Sequence, residues 1–269
     1  MIPFFRVSVV YLVYMGFFES TFLGLVQGLT EFLPVSSSGH LVIIQELLNL
    51  SKQIEFDVFL HFATLIAVLI FFRSDILEIL KGVTGKSEAG LKTLTGIIIG
   101  SVPTAVIGLL FKDFFEEKFS QPKTVAAMWI VTSFILWFSS KFSKSDAVDK
   151  NYSNTKITDF LLVGLFQGLT IMPGISRSGI TISAAFLLGF NRKWAFKYSM
   201  LLSVPAILGA GLLEIKNFSV NTNILAGGIV AMLSGILALY ILSKIVIGGK
   251  FHLFSYYLWI VGILGLIFL

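Results

Sequence analysis

The sequence predicts an all-α polytopic membrane protein in which residues 1–269 form a single integral membrane domain. Hydrophobic residues make up 56% of the chain and charged residues 13%, whereas about 25% of residues are charged in soluble domains. A bilayer core of about 30 Å needs about 20 apolar residues per helix. About six stretches qualify as full transmembrane helices, namely 56–73, 94–111, 122–140, 197–215, 224–247 and 252–269.

An internal repeat is the second observation behind this fold class. Residues 24–39, GLVQGLTEFLPVSSSG, align without a gap with residues 164–179, GLFQGLTIMPGISRSG, and nine of the 16 positions are identical. Each copy places a break rich in Ser, Gly and Pro inside apolar sequence. We call the breaks at 33–39 and 173–179 the first and second elbows.

The segments that contain the elbows, 20–48 and 158–190, each consist of two apolar half-segments. Irregular backbone at membrane depth is tolerated only where protein or a water-filled cavity satisfies its polar groups. We therefore predict that these segments are two re-entrant helical hairpins rather than simple spans.

In chain order, the prediction places one hairpin in each of two repeats. The first repeat covers about 20–112 and the second about 122–247, and the final transmembrane helix is 252–269. Residues 1–15 are an extension, either an additional N-terminal helix or sequence before an alternative start at Met15.

The loop charges support this layout, because one group of loops is basic and the alternating group is not. The basic group holds 13 Lys and Arg and five acids, and the other group holds five Lys and six acids. Basic loops mark the cytoplasmic side, and the sides alternate without exception if both hairpins return to the face they entered. The basic loops are 73–92, 141–156, 191–197 and 244–250, and the others are 49–57, 112–123 and 214–223.

Three full spans separate the hairpins, so the two repeats are predicted to have inverted topology. Such repeats with broken helices place a binding site near the bilayer midplane, where the breaks meet. The net charge of +5 belongs to loops, and we predict no nucleic-acid partner. The absence of cysteine excludes disulfides, thiolate chemistry and zinc–thiolate sites.

One acid and one basic residue mark the repeated motifs. Glu31 lies in the first motif and Arg177 in the second. A charge at bilayer depth costs about 2.5–3.5 kcal/mol on insertion scales, so it indicates a functional site. The simpler interpretation is a structural ion pair that holds the hairpins together, and both interpretations can hold at once.

The elbows have a composition suited to phosphate. Each leads into an apolar helix, and free N–H groups at a helix start attract anions. Hydroxyl groups add donors, and Arg177 can bind phosphate oxygens in bidentate fashion. The alternative is that the serines only cap helices. The phosphate-binding residues predicted here are Ser36, Ser38, Gly39, Ser176, Ser178 and Gly179.

Hydrolysis of a phosphate ester or anhydride needs a nucleophile, a proton carrier and charge neutralisation. Ser37 or a water molecule is the predicted nucleophile, with His40 as base or acid. Glu31 and Gln27, four residues apart on one helix face, are predicted to hold a divalent cation, Mg²⁺ or Ca²⁺. His61 lies inside an apolar span and is interpreted as a core residue, outside the site.

At these residues the chain resembles the undecaprenyl-diphosphate phosphatase family, also called bacitracin-resistance proteins. The resemblance rests on QGLTEFLPVSSSGH at 27–40, on PGISRSG at 173–179 followed by Thr181, and on SVPAILGA at 203–210. It covers the chain from about residue 16 onward. It implies the inverted-repeat fold and removal of the terminal phosphate of undecaprenyl diphosphate. It also implies recycling of this lipid carrier for peptidoglycan and cell-envelope synthesis, and resistance to bacitracin.

The resemblance also implies roles for individual residues. The family's acidic motif falls on Gln27 and Glu31, its serine on Ser37, its histidine on His40 and its arginine on Arg177, and Thr181 joins the substrate-binding set. Many members have Glu where this chain has Gln27, which leaves one carboxylate fewer for a metal. The implied location is the plasma membrane, with the active site on the external side. We name a homodimer as one candidate assembly.

Two other functions compete with hydrolysis by this family. A lipid-carrier transporter or flippase fits the inverted repeats and predicts binding without turnover. The type-2 phosphatidic-acid phosphatase class shares the SGH and SR fragments at 38–40 and 176–177, but it requires His and Asp where this chain has Ser183 and Leu187. That class is therefore excluded.

Overall fold

The computed structural model describes residues 15–50, 54–119, 121–143, 150–214 and 221–269. These ranges contain helices and short connections without a β-strand, as the sequence predicts. Of the extension predicted at 1–15, only Met15 lies within them. The helices are α1 (Phe17–Phe32), α2 (Ser37–Leu47), α3 (Ile54–Phe71), α4 (Arg73–Val83), α5 (Glu88–Phe119), α6 (Pro122–Ser140), α7 (Ile157–Gly168), α8 (Arg177–Leu187), α9 (Arg192–Glu214), α10 (Thr222–Ile247) and α11 (Leu253–Phe268), with a 3₁₀ turn at Leu169–Ile171.

Five of these helices are long and apolar enough to cross a membrane, namely α3, α5, α6, α9 and α10. They coincide with five of the six spans that the sequence predicts. The sixth prediction, at 252–269, falls on α11, which has 16 residues and a length of about 24 Å at 1.5 Å per residue. Phe251 and His252 form a turn before it.

Helix α4 differs from the sequence analysis, which assigned 73–92 to a loop. Its polar positions alternate with apolar ones at helical spacing, which is the pattern of an amphipathic helix. The helix packs against α5 through Gly90, where a methyl group would overlap the carbonyl of Glu78. The high charge of the segment concealed this periodicity.

The two elbows end one helix and begin the next. In the first, Leu33 is extended (φ −61°, ψ 143°), because the residue before a proline is disfavoured in the helical region. Ser36 has φ 68°, a strained conformation for a residue with a side chain, and its Oγ accepts from the Gly39 N–H (3.3 Å). In the second, Ser176 Oγ accepts from the Gly179 N–H in the same way (3.2 Å).

Small residues bring the first helix of each hairpin against a long helix. Helix α1 packs along α10, and α7 packs along α5. A methyl group at Gly24 would overlap the carbonyl of Gly227, and one at Gly164 would overlap the carbonyl of Gly100. Glycine at such positions lets helix backbones approach closely in membranes. This packing fixes the helices that lead into both elbows.

We expect Gly24→Ala to separate α1 from α10, because its methyl group has no space beside the Gly227 carbonyl. Overpacking of this kind costs about 1–3 kcal/mol. Thermal melting of the purified protein in detergent, followed by size-exclusion chromatography, measures the loss. The matched control is Gly209→Ala, since among the described residues no atom beyond the adjoining part of its own helix lies within 4 Å of the added methyl group. Equal melting temperatures for the two variants would contradict the packing argument.

Candidate active site

Glu31 is the centre of a polar cluster at the point where the two elbows meet. Its side chain is only 2% exposed, although it lies in the last turn of an apolar helix. Arg177, the first residue of α8, forms an ion pair with Glu31 Oε1 through Nη2. Its Nη1 donates to the carbonyl oxygen of Ser203 (3.2 Å). The structure thus brings together the two charges that the sequence analysis singled out.

The second carboxylate oxygen of Glu31, Oε2, accepts two hydrogen bonds. Ser37 Oγ donates to it at 2.6 Å, and Gln27 Nε2 donates at 2.9 Å. Gln27 reaches it from one turn earlier on the same face of α1, and Ser37 is the first residue of α2. Both side chains are buried. The Glu31 carboxylate therefore orients the Ser37 hydroxyl and is the nearest acceptor for its proton.

Two of the remaining serines of the elbows cap helices. Ser36 and Ser176 are the N-caps of α2 and α8. Ser38 Oγ lies 3.4 Å from Ser36 Oγ, and Ser178 Oγ lies 3.3 Å from Ser176 Oγ. The alternative of helix capping therefore holds for Ser36 and Ser176, whereas Ser38 and Ser178 lie within the first turns of the two helices. The two helix starts still point their first turns at the same cluster.

Thr181 is linked to Glu31 through Arg177. Its Oγ1 donates to the Arg177 carbonyl (2.8 Å) and lies 2.5 Å from Ser199 Oγ. Ser199 lines a small cavity together with Glu31, Arg177 and Ser203. The sequence analysis missed Ser199 and the role of the Ser203 carbonyl, because both come from α9, outside the repeated motifs.

His40 points away from Ser37, although the sequence analysis paired them. Its Nδ1 lies 2.8 Å from the Ser36 carbonyl, and its Nε2 lies 2.7 Å from the hydroxyl of Tyr257. A carbonyl only accepts, so Nδ1 carries the hydrogen and Nε2 accepts from Tyr257. The ring also packs against Trp129, with 4.7 Å between ring centroids. Both nitrogens are thus engaged by groups other than Glu31 and Ser37.

His61, which the sequence analysis placed in the core, reaches the cluster instead. Its Nε2 lies 3.5 Å from Glu31 Oε2, and its side chain is 32% exposed. Helix α3 packs against α1 and turns this residue toward the first elbow. The only sequence feature that could have indicated this position of His61 was that it is a lone histidine in an apolar span.

Glu31 and Gln27 are the residues of the cluster that could hold a divalent cation, although the described part of the chain has no group of three His, Asp or Glu that could hold one. Glu31 supplies carboxylate oxygens. Gln27 Oε1 is buried and has no hydrogen-bond partner among the described residues, and an amide oxygen is a suitable ligand for Mg²⁺ or Ca²⁺. An uncompensated buried oxygen costs about 1–3 kcal/mol, so a bound cation would relieve it.

The chain matches known proteins over nearly its whole length. The family model described as bacitracin resistance protein BacA matches residues 20–264. A relative from Carboxydothermus hydrogenoformans is 47% identical over 93% of this chain and 96% of its own, and one from Halothermothrix orenii is 47% identical over 94% and 98%. An archaeal relative from Methanococcus maripaludis is 39% identical over 93% of this chain and 100% of its own.

All three relatives are named undecaprenyl-diphosphatase. The match covers both elbows, the helices that pack against them and the cluster around Glu31. The chain therefore belongs to the bacitracin resistance protein BacA family.

Proposed function

We propose that this chain is an undecaprenyl-diphosphatase, which removes the terminal phosphate of undecaprenyl diphosphate and returns undecaprenyl phosphate. The observation that carries the proposal is the Ser37 hydroxyl held 2.6 Å from a buried carboxylate, beside an arginine from the other elbow. The name shared by its relatives supports the substrate. The product is the lipid carrier of cell-envelope synthesis, so the activity also accounts for bacitracin resistance.

In the proposed reaction, Ser37 Oγ attacks the terminal phosphorus and its proton passes to Glu31 Oε2. The bond from that phosphorus to the bridging oxygen breaks, and undecaprenyl phosphate leaves. Water then cleaves the phosphoserine and releases phosphate. Glu31 takes the proton-accepting role that the sequence analysis gave to His40, because its contact with Ser37 is direct. His40 holds the first elbow in place through Ser36 and Tyr257.

Arg177 and the helix starts are the proposed phosphate-binding groups. A guanidinium binds phosphate oxygens in bidentate geometry and stabilises charge that develops in the transition state. The starts of α2 and α8 add N–H groups and the positive ends of two helix dipoles. The supporting donors are the hydroxyls of Ser36, Ser38, Ser176, Ser178 and Thr181 and the N–H groups of Gly39 and Gly179.

We further propose that Glu31 and Gln27 hold a divalent cation, Mg²⁺ or Ca²⁺. When bound, such an ion neutralises phosphate charge and acidifies a hydroxyl beside it. The buried Gln27 Oε1, for which the described ranges offer no hydrogen-bond partner, supports this placement.

The proposed membrane arrangement is an inverted repeat whose two hairpins re-enter the bilayer from opposite faces. Helices α1 and α2 span 16 and 11 residues, and α7 and α8 span 12 and 11, which is short for a crossing of about 20 residues. In this repeat, α1, α3 and α10 correspond to α7, α9 and α5. Helix α1 packs on α10 as α7 packs on α5, and α3 packs on α10 as α9 packs on α5. The site then opens to the external side of the plasma membrane.

We expect Ser37→Ala to lower phosphate release from undecaprenyl diphosphate by about 10³-fold or more, since loss of a nucleophile is seldom compensated. Release is measured with purified protein in detergent, and acid quenching of the wild type with radiolabelled terminal phosphate should trap label on Ser37. The control is Ser140→Ala, whose hydroxyl bonds only its own helix at Trp137 and which should keep full turnover. Wild-type binding without release would favour a lipid transporter instead. Rapid turnover by Ser37→Ala would make water the nucleophile.

We expect Arg177→Lys to lower kcat/KM by about 10²-fold, because lysine keeps the positive charge beside Glu31 but loses the planar fork that grips phosphate. Retained charge also protects folding, since an unpaired buried Glu31 would cost about 3–5 kcal/mol. Arg192→Lys is the matched control, because Arg192 bonds Ser143, not Glu31. Equal kinetics for the two variants would remove Arg177 from the reaction.

The absence of cysteine allows the membrane arrangement to be tested with single substitutions. Gln121 and Lys86 are both exposed and lie in loops that the charge pattern assigns to opposite sides. We expect a membrane-impermeant maleimide to label Gln121→Cys on intact cells and Lys86→Cys only after permeabilisation. Labelling of both on intact cells would overturn the arrangement.

A further inference from the structure

His61 contacts Glu31 but has no part in the proposed reaction. It comes from α3, whereas Gln27 and Glu31 come from α1 and Ser37 from α2. Its Nε2 faces Glu31 Oε2 at 3.5 Å, and the half-buried ring remains partly accessible. The distance exceeds that of a good N–H···O hydrogen bond, which is about 2.7–3.2 Å. The contact is therefore not a direct hydrogen bond of ordinary length.

The other ring nitrogen settles where the hydrogen of a neutral imidazole sits. His61 Nδ1 lies 2.7 Å from the backbone carbonyl of Asp57, one turn earlier in α3. A carbonyl oxygen only accepts, so Nδ1 is the donor and the lone pair of Nε2 points at the carboxylate. Two electron-rich atoms facing each other repel unless a positive species lies between them. A backbone bond at one nitrogen is the arrangement that orients a metal-binding histidine.

The spacing suits a cation bound to both atoms. Two ligand atoms that each lie about 2.1–2.2 Å from one ion are about 3.5 Å apart when the angle at the ion is about 110°. Gln27 presents its Nε2 to the same Oε2 at 2.9 Å and leaves its buried Oε1 without a partner. Rotating this amide by 180° would exchange the donor for an oxygen ligand at the same place.

We infer that His61 supplies a nitrogen ligand, through Nε2, to the cation that Glu31 and Gln27 bind. This inference rests on the cation site of the proposed function and deepens it by giving the chemical class of the ion. A nitrogen ligand suits transition-metal ions such as Zn²⁺, Fe²⁺ and Ni²⁺ better than Ca²⁺ and Mg²⁺, which, like Mn²⁺, prefer oxygen. The site is therefore expected to accept a transition-metal ion, and Mn²⁺ serves as its paramagnetic probe.

The experiment uses Mn²⁺ bound to the purified full chain in detergent, measured by pulsed electron paramagnetic resonance. The wild-type protein should show ¹⁴N modulation from a directly bound imidazole, and protein grown with ¹⁵N-histidine should show the ¹⁵N pattern instead. The chain has three histidines, so assignment needs few variants. His61→Gln should lose the modulation and raise the Kd for Mn²⁺ by about tenfold or more. His40→Gln and His252→Gln are matched controls that should keep it.

The outcomes separate this inference from the cation site on which it rests. Suppose that the wild-type protein binds Mn²⁺ without nitrogen modulation and that Glu31→Gln loses this binding. That result would overturn the role of His61 while supporting the cation site at Glu31. In that case His61 is an ion-pair partner of Glu31. Modulation that His61→Gln leaves intact would also overturn it. The ¹⁵N-histidine spectrum needs no substitution, so the test stands even if His61→Gln does not fold. Phosphate release that needs no divalent ion would instead refute the cation proposal.

Discussion

The burial of Glu31 is the constraint on which the rest of this structure depends. A carboxylate that is 2% exposed needs compensation from every side, because an unpaired buried charge costs several kcal/mol. The compensation comes from Arg177 in the other elbow and from two neutral donors, Ser37 and Gln27. Satisfying one acid therefore brings together α1, α2 and α8. The same contacts that stabilise the charge place a hydroxyl and a guanidinium around it.

The two copies of the repeat contribute unequally to this site. With the 140-residue offset, Gln27 corresponds to Gln167 and Ser37 corresponds to Arg177, but Glu31 corresponds to Ile171. Gln167 bonds Thr104 rather than an acid (3.0 Å), so the second copy has no carboxylate centre. The copies kept their capping serines and their close helix packing, while the positions that differ meet at Glu31. The pair of elbows thus builds one site with the Ser37 hydroxyl from one copy and the Arg177 guanidinium from the other.

Much of the fold follows from the sequence, because apolar length and the repeat are local properties. Five spans, both breaks and the pairing of Glu31 with Arg177 could be predicted without knowing how the helices pack. The direction in which each histidine points could not. His40 bonds Tyr257, which is 217 residues away, and His61 faces Glu31 through the packing of α3 on α1. Neither contact leaves a local pattern. Helix α4 was missed for a different reason, since its charges resemble those of a loop.

The charge of the site is the physical argument for the proposed cation beside Arg177. The positive charge of Arg177 is balanced by Glu31, so the ion pair offers no net positive charge to a diphosphate. A carboxylate beside phosphate repels it, and this repulsion is larger at low dielectric than in water. The helix starts of α2 and α8 supply only partial charges. The proposed divalent cation, held by Glu31, would turn the carboxylate from a repelling group into an anchor and would leave Arg177 available to the phosphate. The proposed cation would thus reconcile the buried acid that organises the fold with a strongly anionic substrate.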